Sequence, residues 1–93
     1  MHTVFPVLHE SAAARTIEGQ AVVVTPRDSM LHTLNPVGSR ILELSNGKNS
    51  VDSIIDAIVI EYDVGRATAE ADVHAYVKEL LAKGILVFRK SAG

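Results

Sequence analysis

No cysteine occurs among these 93 residues, so neither a disulfide nor a thiolate zinc site can reinforce the core. Aromatic side chains are nearly absent: Phe5, Tyr62, Tyr76 and Phe88 are too few and too scattered to form a stacking platform for single-stranded bases. There is no excess of positive charge either. Nine Lys and Arg against eleven Asp and Glu leave a formal charge of −2 with His neutral, which gives no long-range attraction toward phosphate and disfavours nucleic acid as a partner. The apolar runs, such as Ala57-Ile58-Val59-Ile60, fall far short of the ~20 residues that span a bilayer, so no membrane segment is expected. Met1 to Ala14 contains Glu10 and lacks a basic start followed by an apolar stretch. No export signal is expected, and a cytoplasmic location fits.

Motifs that carry chemistry are missing as well. The histidines His2, His9, His32 and His74 never share the i, i+4 spacing of a helical metal site. Serines at 11, 29, 39, 45, 50, 53 and 91 occur without a nucleophile elbow, and the glycines are too scattered to cradle a phosphate. Asp52 and Asp56, four residues apart on one helical face, have no accompanying base or nucleophile and read as a solvated surface. The expectation is a protein without catalytic residues, metal or cofactor.

What is present is a switch of period. Before Leu34 the chain reads as strands and after it as helices. Met1 to Ser11, with Pro6 and no sustained period, is expected to be a flexible arm. Ala14 to Ile17 and Gln20 to Val24 form a hairpin around Glu18-Gly19, and the turn formers Thr25 to Ser29 lead into a third strand, Met30 to Leu34. Asn35 suits an N-cap and Pro36 the first helical position. Val37, Ile41 and Leu44 then line one face of a helix that Asn46-Gly47 can end. Ser50 caps a second helix running to about Tyr62, with Val51, Ile54, Ile55, Ile58 and Tyr62 as its core stripe. Val59 and Ile60 fall partly outside that stripe and are expected to close packing between helices.

Asp63 to Ala67 reads as a turn and Thr68 as the cap of a third helix, whose stripe is Ala69, Val73, Tyr76, Val77 and Leu80 and which Gly84 ends. Glu70 and Asp72 near its start and Lys78 and Lys83 near its end suit the helix dipole. Ile85 to Phe88 can be a last strand or simply lie against the core, and the tail from Arg89 is expected to be loose. At this length one domain is expected, a core over residues 12–88 between the arm 1–11 and the tail 89–93. The fold class is α+β, winged-helix-like: a three-stranded antiparallel meander followed by three helices. Its third strand has a free side, which can be covered by the arm or a second copy, or can accept an extended peptide.

Leu34-Asn35-Pro36 before a short helix, Ile41-Leu42-Glu43-Leu44 within it, and Asn46-Gly47 followed by Ser50 to Ile55 are joined by Tyr62, Asp72-Val73 and Leu80 to Leu86. In order and spacing the run from Ala21 to Val87 resembles the PqqD family, small peptide-binding proteins of pyrroloquinoline quinone biosynthesis, and related precursor-recognition domains. Asn46 stands where the family often has Asp, and Ser53 where it often has Glu; both positions concern capping.

The resemblance implies a non-catalytic adaptor that binds the leader of a ribosomally made precursor and presents it to a modifying enzyme. In those relatives the precursor is PqqA and the enzyme the radical S-adenosylmethionine protein PqqE. By position, the peptide would lie along Met30, Leu31, His32, Thr33 and Leu34, and against Val73, Tyr76, Val77 and Leu80. Two other classes stay open: a small winged-helix DNA-binding regulator, and a self-associating module, a homodimer for instance, joined through the free edge or Ile60. Against the former, charges from Arg66 to Lys83 sum to zero and the acids crowd the half of that helix that would meet DNA.

Overall fold

The computed structural model describes residues 4–90. The expected meander is there: β2 (Ala13–Ile17), β3 (Gln20–Thr25) and β4 (Met30–Thr33) pair antiparallel in that order. Glu18 and Gly19 both take positive φ, 51° and 81°, giving a two-residue turn whose twist matches that of the flanking strands. The next turn is tied by Asp28, whose carboxylate accepts from the Thr25 hydroxyl and from the Met30 N–H at 3.2 Å.

Three helices follow: α1 (Pro36–Leu44), α2 (Val51–Tyr62) and α3 (Arg66–Ala82). The expected caps hold for the first two. Asn35 Oδ1 accepts from Gly38 N at 2.7 Å and Ser50 Oγ from Ser53 N at 3.1 Å, each satisfying an otherwise orphan amide. Thr68 is not the cap of α3. The helix starts three residues earlier than that cap would place it, at Arg66, with Gly65 in the cap position and no side-chain cap bond. Arg66, the first helical residue, pairs with Glu70 and, across to α2, with Asp56. Asp63 takes the left-handed φ of 51° that ends α2.

The N-terminal stretch departs from the expected arm. Phe5–Leu8 forms β1, which pairs antiparallel with β5 (Leu86–Arg89), and Gly47 N donates to Pro6 O at 3.0 Å. Strand therefore replaces the irregular arm at these positions, because the partner that orders it lies at the far end of the sequence. Of the two alternatives for the segment after Gly84, it takes the strand. Met1 to Thr3 of the arm, and Ser91 to Gly93 of the tail, lie outside the described residues.

One core cluster packs Ile41, Val51, Ile54, Ile55 and Ile58 against Ala69, Val73 and Val77 of α3; a second joins the sheet through Ala21 and Val23 to Leu34, Leu42 and Leu80. Each fully buried Val, Leu or Ile among them contributes about 1.5–3 kcal/mol. Tyr62 sits at the rim rather than in the core, and Val59 packs on the first cluster while Ile60 stays 80 % exposed and closes nothing. No helix among the described residues is long and apolar enough to cross a membrane.

Candidate functional site

The sheet order leaves β4 at an edge. Which of its backbone groups face outward follows from one bond. Leu34 N donates to Ala21 O at 2.9 Å, in register with the β3–β4 pairing, so alternation makes Val23 and His32 the next hydrogen-bonded pair. Val22 with Thr33 and Val24 with Leu31 are then the non-bonded pairs. Thr33 and Leu31 accordingly aim their N–H and C=O groups away from the sheet, the arrangement an added strand requires. The ladder is locked beside them by Ser39, whose buried hydroxyl accepts from Ala21 N at 2.7 Å and donates to Leu34 O at 3.3 Å.

The side chains of β4 divide by the same alternation. Leu31 and Thr33 share the outer face with Val24 and Val22, while Met30 and His32 share the inner face with Thr25 and Val23. Inner-facing positions should be covered, and Thr25 and Val23 are. Met30 nevertheless stays 50 % exposed and His32 only half-buried, so the inner side of β4 is left partly uncovered, an open strip that serves as the candidate cleft.

Helix α3 forms the other wall. The Tyr76 ring lies against Gly38, just past the end of β4, and the Arg27 guanidinium lies against Gly84, at the turn that begins it. The last turns of α3 therefore run beside β4 in the opposite direction. Burial raises the Tyr76 hydroxyl above its ordinary pKa, the charges of Glu79 and Asp72 add to the rise, and the Asn35 side chain pulls the other way. Asp28 is held below the usual carboxylate value chiefly by the Thr25 hydroxyl.

The residues singled out in the sequence divide accordingly. Met30, Leu31, His32 and Thr33 lie on the open edge, and Tyr76 of α3 lies against Gly38, beyond the end of the strand. Leu34 is buried, and Val73, Val77 and Leu80 have no exposed surface at all. These four cannot touch a ligand in this conformation: the α3 stripe is consumed by the core, and they support the cleft from beneath. Arg27, at the cleft's end, was not legible as a cleft residue. A turn residue carries no periodic signal, and only the packing of α3 places it there.

Two concavities lie away from β4. One of about 190 Å³ sits between Thr16 of β2 and Ser39, Arg40 and Glu43 of α1. A shallow one of about 340 Å³ lies on the outer face of the meander, against Arg15, Ile17, Val22 and Val24. Strand β2 is a second open edge, but its groove side presents only Ala14 and Thr16, too small to anchor a neighbour. Among the described residues no three His, Asp or Glu side chains are grouped as a metal site would need.

A family model described as coenzyme PQQ synthesis protein D (PqqD) matches residues 20–86. A protein of Rhodopseudomonas palustris (strain HaA2) described as PqqA binding protein is 40% identical over 50 residues, 54% of this chain and 49% of that one. The matched stretch thus spans about half the length of that relative. Among solved structures, TbiB1 in complex with the TbiA(beta) leader peptide superposes with a TM-score of 0.80 at 29% identity, covering 86% of this chain and 93% of that one. A lasso peptide synthetase B1 complexed with its leader peptide shares the fold, with a TM-score of 0.79 at 22% identity over 88% of this chain and 96% of that one. With its meander, its three helices and the family match that covers more than half its length, this chain belongs to the PqqD family.

Proposed function

We propose that this chain is a non-catalytic adaptor that captures the leader of a ribosomally made precursor peptide as a fourth strand beside β4. The observation that carries this is the outward aim of the Leu31 and Thr33 backbone groups on an edge whose inner side is left partly uncovered at Met30 and His32. Strand addition draws affinity from main-chain bonds and selectivity from alternate side chains. Met30, His32 and Tyr76 would meet those on the inner side and Leu31 those on the outer, with Leu34, Val73, Val77 and Leu80 as the rigid base. Edge β2 offers the same unpaired backbone without comparable anchors.

Relatives described as binding PqqA or a leader peptide support this assignment. The precursor would be PqqA-like and the modifying enzyme a PqqE-like radical S-adenosylmethionine protein, met in the cytoplasm where precursors are made. Duplex DNA fits α3 poorly, since Glu70 and Asp72 occupy its exposed N-terminal half. Titration calorimetry with the leader of a precursor encoded beside this chain tests the proposal. A saturable one-to-one heat is expected; no heat at high micromolar peptide would contradict it.

A further inference from the structure

The β4–α3 cleft differs in charge between its ends. Beside Tyr76, at the end of β4, stands Asp72, and its charge acts on the Tyr76 hydroxyl, as does that of Glu79 further along α3. At the other end, beside the turn that precedes Met30, stands Arg27: a β-carbon built on Gly84 would lie 3.7 Å from its Nη2 atom. Among the described residues Arg27 has no ion-pair partner and no side-chain hydrogen bond, whereas Arg40 is paired with Glu43 and Glu61, and Arg66 with Asp56 and Glu70. The nearest acid in sequence, Asp28, is committed to Thr25 and Met30. Lys83, the other cation at this end, is bound to Glu79 at 3.4 Å.

We infer that Arg27 is a specificity residue, selecting peptides that place an acidic side chain at the Met30 end of the strand they add. The inference rests on the adaptor proposal and deepens it by fixing one property of the ligand. A guanidinium offers a planar fork that matches a carboxylate with two parallel bonds, and it cannot lose its charge at working pH. The Asp28 ties fix the turn that carries it, so little order has to be gained on binding. The opposite end, beside Tyr76, offers an acid no such fork and places Asp72 there instead, so the two directions in which a charged strand can lie are not equivalent.

The test uses the full chain and the leader peptide of the neighbouring precursor, with each Asp or Glu of the leader changed in turn to Asn or Gln. One such change should weaken binding roughly three- to tenfold, and Arg27→Ala should weaken the unmodified leader by the same factor. The two changes together should cost no more than either alone. Arg27→Glu should restore affinity for a leader with Lys at that position. Unchanged binding to Arg27→Ala, additive losses, or a leader with no acidic residue in the paired stretch would overturn the inference, while measurable leader binding would leave the adaptor proposal intact. Absence of any leader binding would overturn both.

Discussion

The ring of Tyr76 lies so close over Gly38 that a β-carbon on the glycine would stand 2.5 Å from its Cε1 atom. This contact joins the start of α1 to the middle of α3 just beyond the end of β4. Gly38→Ala therefore forces the ring outward or the helices apart, at about 1–3 kcal/mol. Chemical denaturation should show that loss. Combining it with Tyr76→Ala should cost clearly less than the sum of the two single changes, because the second removes the clash created by the first.

Alternation along β4 makes two neighbouring proline substitutions behave oppositely. Thr33→Pro removes an N–H that points to the open edge, which an edge strand tolerates, so the fold should persist while leader affinity falls at least tenfold. His32→Pro removes an N–H bonded within the sheet and should cost about 1–3 kcal/mol of stability, visible in the unfolding midpoint. Equal effects of the two on stability would mean that the register is wrong.

Ser39 stands in for a missing sheet bond between Ala21 and Leu34. Ser39→Ala leaves a buried N–H unpaired, and about 1–3 kcal/mol of stability should be lost. Ser39→Thr keeps a hydroxyl and is expected to retain more of it, as denaturant midpoints will report.

Acid should loosen the β3–β4 turn before it unfolds the chain. The Asp28 carboxylate is held below its ordinary pKa chiefly by the Thr25 hydroxyl, with the Met30 N–H assisting. Its contribution is thus complete above the unfolded value of about 3.9 and is lost as pH falls through the lower folded value. The Met30 amide resonance should titrate in that acid window, and Asp28→Asn should abolish the titration.

The helical half of the fold was legible because its signals are local. Asn35, Pro36 and Ser50 are capping residues whose effect needs no distant partner, and the stripe of α2 follows from spacing alone. What escaped depended on packing. Thr68 looks like a cap, yet α3 already begins at Arg66, whose partner Asp56 lies on another helix. Phe5–Leu8 has no strand period of its own and becomes a strand through Leu86–Arg89. At the site, the strand residues Met30 to Thr33 could be read from the order of the elements. The α3 stripe could not be divided into core and cleft, because Val73, Val77 and Leu80 share their periodicity with Tyr76 and only the packed helices show which of them a ligand could reach.

The central claim is that a peptide completes the edge of β4, and amide hydrogen exchange at single-residue resolution tests it most directly. On adding the leader, the Leu31 and Thr33 amides should become protected at least tenfold, while His32, already bonded to Val23, changes little. Saturating leader that leaves Leu31 and Thr33 exchanging as in the free chain would contradict the account.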